Sequence, residues 1–199
     1  MQQRTSWNHQ ISYLKEAFLS LPGEWNLILE YPIPRRSKRI DIILLAKDLV
    51  FVIEFKDKET KYTSDAISQV EDYSLDLRDF HKQSASKTII PVVWAPEATS
   101  KTNQLFENDD FVKQTLLVNR ENIHSTINTA FEFFTTTTGT VIDPINWNNS
   151  EYIPTPTIIE AAQHLFSGQS VKQISRSHAG SENLTDTTNA ILHAIKEAQ

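Results

Sequence analysis

Cysteine is absent from this 199-residue chain, which excludes disulfide scaffolds, thiolate metal sites and a cysteine nucleophile. Only four glycines occur. That leaves no room for a glycine-rich loop cradling phosphates, and no G-x-x-x-x-G-K-S/T is present, so ATP hydrolysis by a P-loop lies outside this chain. No apolar run approaches the roughly 20 residues that cross a bilayer. The polar stretch Met1–Trp7 lacks the apolar core of a secretory signal, and the expectation is a cytoplasmic protein with no membrane partner. Positive charge is in deficit, 19 Lys+Arg against 25 Asp+Glu for a net charge of −6. A protein that coats nucleic acid through its overall field is thereby excluded, and any such contact needs a local patch.

What is present is the composition of a folded domain, with 39% hydrophobic and 22% charged residues. Trp7–Leu19 has apolar residues at helical spacing. Three strand-like runs follow at Trp25–Tyr31, Arg39–Ala46 and Leu49–Phe55, the last two joined by a tight Lys47-Asp48 turn that reads as a hairpin. Ser64–Phe80 reads as a helix, and Thr88–Trp94 as a buried strand in which Pro91 favours an edge or a bulge. Thr115–Val118 fits a short strand and Asn122–Phe134 a helix. Beyond residue 142, Pro144, Pro154 and Pro156 with several Asn mark a connecting segment, followed by helical stretches at Thr157–Phe166 and Thr185–Ala198. This order predicts an α/β domain over residues 1–142 with a mixed central sheet and helices on both faces. Residues 143–199 are expected to form a linker and a helical extension.

The second and third strands are nearly continuous Ile, Leu, Val and Phe, yet each holds one carboxylate, Asp41 and Glu54. Counted outward from the two-residue turn, these positions face each other, with Cβ atoms about 4.5–5.5 Å apart. Two facing acids in apolar surroundings repel and are costly to desolvate. A hard divalent cation removes the conflict, since Mg²⁺ binds through one or two carboxylates together with phosphate oxygens and water. Lys56 lies two residues after Glu54, hence on the same strand face. Acids, cation and lysine together make a hydrolytic centre for phosphodiesters. With 25 acids and 12 lysines, chance yields about 1.5 acid-x-Lys triplets, and two occur, Glu54-Phe55-Lys56 and Glu59-Thr60-Lys61. Only the first ends an apolar strand.

Asp41, then Glu54-x-Lys56 after a hairpin, with a helix before and another after, resembles the PD-(D/E)xK nuclease superfamily. Gln69 and Tyr73 match the Q-x-x-x-Y motif of its RecB-like branch and share a helix face. The likeness covers roughly residues 6–118; Ile40 stands where the name-giving proline would be. It implies a restriction-endonuclease-like αβββαβ core and a Mg²⁺- or Mn²⁺-dependent nuclease. Asp41, Glu54, the Phe55 carbonyl and Glu16 on the first helix would hold metal, while Lys56, Gln69 and Tyr73 would act on water and phosphate. The partner it implies is nucleic acid, DNA ahead of RNA. The tail is similar to the segment joining such a domain to a P-loop ATPase in certain bacterial helicase-like proteins of unknown function.

Each residue also has a plainer reading. Asp41 could pair with Arg39 or Arg36, Glu54 and Lys56 could form a salt-bridged strand end, and Gln69 and Tyr73 could cap a buried helix face. Glu30, on the first strand, competes with Glu16. The basic run Arg35, Arg36, Lys38, Arg39 is either a solvated turn or a clamp on backbone phosphates. The six His have no ligand spacing and read as ordinary residues. Two further functions stay open: a catalytically silent nucleic-acid-binding or regulatory module of a helicase or ATPase, and a structural oligomerisation domain.

Overall fold

The computed structural model describes residues 11–18, 22, 24–34 and 38–153. Outside them lie the start of the first expected helix, Arg35 and Arg36 of the basic run, and both C-terminal helical stretches. Five strands form one sheet in the order β1-β2-β3-β4-β5: β1 Asn26–Ile33, β2 Lys38–Ala46, β3 Leu49–Phe55, β4 Thr88–Trp94 and β5 Leu116–Val118. The first three run antiparallel, and β4 and β5 join parallel to β3, so the sheet is mixed. Helices cover both faces: α1 (residues 11–18) and α3 Ile123–Phe134 on one, α2 Ser64–Phe80 and α4 Pro144–Asn148 on the other. This is the α/β architecture expected. No helix among the described residues is long and apolar enough to cross a membrane.

Covering both faces explains the uninterrupted apolar runs. Along β3 every residue is buried, with Leu49, Phe51, Ile53 and Phe55 in the layer under α1 and α3, and Val50 and Val52 in the layer under α2. The α2 helix starts at Thr63, whose hydroxyl accepts from the Ala66 N–H at 3.2 Å, and buries Ala66, Val70, Tyr73 and Leu77 against the sheet.

Pro91 sits not at an edge but in β4, an interior strand, opposite Val52. The Ile89 N–H donates to Phe111 O and the Ala95 N–H to Val118 O, so odd positions of β4 turn their nitrogens toward the β5 side. On that side the pairing with β5 begins only at Val92↔Leu116, after an isolated bridge at Ile89↔Val112. The nitrogen of Pro91 therefore faces the gap between them, where no donor is required.

The proline- and Asn-rich stretch after 142 is more than a connection. Asp143 caps α4 through the Asn146 N–H, and Trp147 is fully buried. Its indole N–H donates to Ser84 Oγ at 3.0 Å and its carbonyl meets His81 Nε2 at 3.0 Å, while Ser84 Oγ lies 2.7 Å from His81 Nδ1. The compact unit holding these elements reaches Tyr152.

The hairpin turn is tied down from outside the sheet. Lys47 adopts φ 56°, and the Asp48 carboxylate accepts from the Thr135 hydroxyl, the Thr136 N–H and the Thr136 hydroxyl. Burial pushes the Asp48 carboxyl up, but those hydrogen bonds outweigh it and hold the carboxyl below its usual range. Gly139 lies so close to Asp48 that a Cβ there would collide with the carboxylate.

Candidate functional site

The β2–β3 register runs from Ala46↔Leu49 to Ile42↔Ile53 and, continued by one step, sets Asp41 opposite Glu54. The ladder stops there. In a two-residue hairpin the closing pair is hydrogen-bonded and alternate pairs repeat it, so Phe55 N–H would next reach Ile40 O. Instead it donates to Asp41 Oδ2 at 2.9 Å. The aspartate side chain takes the place of a backbone acceptor, and the strands splay at the acids.

A matching irregularity lies on the other side of β2. Pairing with β1 passes from Leu29↔Ile42 to Tyr31↔Ile40, leaving Glu30 and Asp41 between them outside the ladder. Glu30 has φ 54°, a left-handed backbone that is strained for a residue with a side chain. Alternation changes phase here: Leu29 and Ile42 face the layer under α1, whereas Tyr31 and Ile40 face the layer under α2. Glu30 is thereby brought beside Asp41, and its charge raises the carboxyl pKa of both Asp41 and Glu54. Arg39 pairs with Glu30 at 3.7 Å.

Glu54 keeps 4% of its surface and Lys56 is half-buried at the end of β3. The Lys56 N–H donates to Trp94 O at 2.9 Å, which holds the strand end against β4. The Lys56 ammonium donates to Glu54 Oε1 at 2.8 Å and to Gln69 Oε1 at 3.2 Å, and Gln69 Nε2 donates to Tyr73 Oη at 2.9 Å. Gln69 and Tyr73, one turn apart on α2, so reach the acid–lysine pair as a chain of polar atoms. Lys38 Nζ lies 5.8 Å from the centre of the Tyr73 ring.

Electrostatics at this spot are unbalanced. Burial pushes the Asp41 carboxyl up to about 7, with the facing Glu54 charge adding to it against the Phe55 hydrogen bond. Burial also raises Glu54, opposed by Lys56. Glu54 Oε2 is buried with no hydrogen-bond partner. Tyr73 is raised by burial, with the charges of Glu54 and Asp41 adding. Buried acids with perturbed pKa and an unsatisfied oxygen mark a functional-site candidate.

Asp41, Glu54, Lys56, Gln69 and Tyr73 are thus brought together, with Phe55 between them along β3, and Lys38 joins through Tyr73. Glu16 is not brought to them. It sits exposed on α1, whose buried Leu14, Ala17 and Phe18 belong to the other layer, and its carboxylate accepts from Arg120 Nε at 3.0 Å and Nη2 at 2.8 Å. Among the described residues no group of three or more His, Asp or Glu is placed to hold a metal ion. Glu30 is the acid that competes with Glu16 in the sequence. Its signal was indirect, a carboxylate whose register position along β1 opposes Asp41.

Comparison of the chain with protein-family models and with curated proteins finds no match.

Proposed function

We propose that this chain is a metal-dependent nuclease domain that hydrolyses nucleic-acid phosphodiesters with water, on a restriction-endonuclease-like core of the PD-(D/E)xK type. The observation that carries the reading is the half-buried Asp41 and the buried Glu54, facing across the splayed end of a hairpin, repelling, and with Glu54 Oε2 lacking any partner. Lys56 compensates one oxygen of Glu54 and leaves a deficit of positive charge that a small dication fits. Asp41, Glu54 and the Phe55 carbonyl would hold Mg²⁺ or Mn²⁺. Glu16, engaged by Arg120, is left out of that set.

A bound dication supplies polarisation of the scissile phosphate and a lowered pKa for a water beside it. The protein's own groups do the rest. The Lys56 ammonium, fixed by Glu54 and Gln69, positions the attacking water and offsets negative charge growing on the phosphate oxygens. Gln69 and Tyr73 donate to those oxygens and orient the ester. The lysine of the basic run that reaches the site, Lys38, holds the adjoining backbone. A cytoplasmic setting, DNA ahead of RNA as the polymer, and continuation into a C-terminal P-loop ATPase or helicase domain belong to the same reading.

The test is nicking of supercoiled plasmid in Mn²⁺ and in Mg²⁺. Wild type cuts, whereas Asp41→Asn and Lys56→Ala are slower by on the order of a hundredfold or more. Equal rates for all three overturn the proposal. Salt-dependent DNA binding without cutting, retained in Glu54→Gln, would instead indicate the catalytically silent module.

A further inference from the structure

A cleft of about 430 Å³ opens beside the loops that follow β3 and β4, lined by Thr60, Lys61, Tyr62, Thr99, Lys101 and Leu117. Its walls come from different parts of the chain: the connection from β3 to α2, the segment after β4, and β5 itself. Tyr62 and Leu117 both pack on the layer under α2, the face toward which Lys56 reaches Gln69. The cleft therefore lies on the same side of the sheet as the acid–lysine site, at the carboxyl ends of the parallel strands, where open α/β sheets bind ligands.

Its chemistry is that of an anion site. Two lysines contribute, no carboxylate lines it, and among the described residues neither ammonium has an ion-pair partner. Two threonine hydroxyls add donors, and the Tyr62 hydroxyl is buried without a hydrogen-bond partner. In a chain of net charge −6, two lysines from separate loops lining one cleft favour a bound anion over mutual repulsion. From Lys56 to Thr60 is four residues, at most about 14 Å of chain, and the Glu59 N–H turns back to Lys56 O within it. With that turn the span falls short of the extended limit and covers at most about four phosphates of a B-form strand, at roughly 3.4 Å of axis each.

We infer that this cleft is a second backbone-phosphate subsite, gripping the nucleic-acid strand a few nucleotides from the bond held at Asp41 and Glu54. The inference rests on the nuclease reading for the identity of its ligand, while its test does not depend on cleavage. Lys61 and Lys101 each contact a phosphate.

Binding of a fluorescent DNA oligonucleotide in EDTA, measured from 50 to 200 mM salt, decides it. In Lys61→Gln/Lys101→Gln the slope of log affinity against log salt falls by about 1.8 for a duplex or about 1.4 for a single strand. Both lysines are exposed, and an unchanged thermal midpoint in the double variant confirms that folding is intact. A wild-type slope in the double variant overturns the subsite, and plasmid nicking by the same preparation would then leave the nuclease reading standing. The slope change together with absent nicking keeps the subsite and removes the catalysis. Inorganic phosphate separates the two sources of this chemistry: stabilisation of wild type by phosphate alone, lost in the double variant while the DNA slope is unchanged, assigns the cleft to a free anion and overturns the strand contact.

Discussion

Asp41 is an acid whose proton belongs to the folded state. Its carboxyl is pushed up to about 7 by burial and by Glu54, against an ordinary value of 3.8. The native protein thus binds a proton between those values that the unfolded chain does not. This contribution to stability is fully present below pH 3.8 and is lost as pH rises through about 7. In EDTA, thermal unfolding should show wild type losing stability from pH 5.5 to 8.5 relative to Asp41→Asn, which can still accept from Phe55 N–H. Parallel profiles for the two proteins would contradict the burial assigned to Asp41. His81 behaves in the opposite sense. Burial, opposed by the Trp147 carbonyl, lowers its pKa to about 4 from 6.5. The Trp147 carbonyl can only accept, so the neutral ring carries its proton on Nε2, and Nδ1 accepts from the Ser84 hydroxyl, whose oxygen accepts in turn from the Trp147 indole N–H. The unfolded state therefore takes up the proton first, and stability falls as pH drops from 6.5 toward 4, by about 3 kcal/mol over the window. NMR titration should place the His81 midpoint near 4; a midpoint near 6.5 would show the ring to be solvated.

At the scale of elements, the hairpin that presents the acids is held at its turn as well as along its ladder. Gly139→Ala would drive a methyl group into the Asp48 carboxylate and break the hydrogen bonds from Thr135 and Thr136. A loss of about 2 kcal/mol is expected from such overpacking next to a buried acid. Urea unfolding checks it, and an unchanged midpoint would mean that the turn is not anchored. Thr63→Ala should cost about 1 kcal/mol through loss of the α2 cap. The elements easiest to read from sequence were those whose patterning answers to one cause. Leu49–Phe55 and Thr88–Trp94 are buried on both faces and read as unbroken apolar runs, and Ser64–Phe80 combines a cap with helical spacing. Pro91 lies in an interior strand and not at an edge, and its tolerance depends on the interrupted pairing beside it, where three steps of β4 face four of the neighbouring segment. Trp147 was overlooked because one aromatic among Pro and Asn shows no period, although its partners His81 and Ser84 lie more than sixty residues earlier. The facing of Asp41 and Glu54 could be counted from the turn. The place of Glu16 could not, because it depends on which face of the sheet α1 covers and on Arg120, 104 residues away.

Over the whole molecule, a chain of net charge −6 brings the buried Glu54 and the half-buried Asp41 and Glu30 to one point of its sheet, where β1, β2 and β3 all depart from regular pairing. Glu30 leaves the ladder, Asp41 replaces a backbone acceptor, and Glu54 keeps an oxygen with no partner. Such conflicts between local preference and global fold concentrate at functional sites. The same economy of charge makes Lys38, Lys61 and Lys101 important for any polyanion, since the global field repels it. The most direct measurement is Mn²⁺ titration of the purified protein, followed by electron paramagnetic resonance with proton release recorded at pH 6.5. Mn²⁺ should bind to wild type with release of a proton from Asp41, and both signals should disappear in Asp41→Asn and weaken strongly in Glu54→Gln. Mn²⁺ binding of equal strength in all three proteins, or none to wild type at millimolar concentration, would contradict a dication held between these two carboxylates.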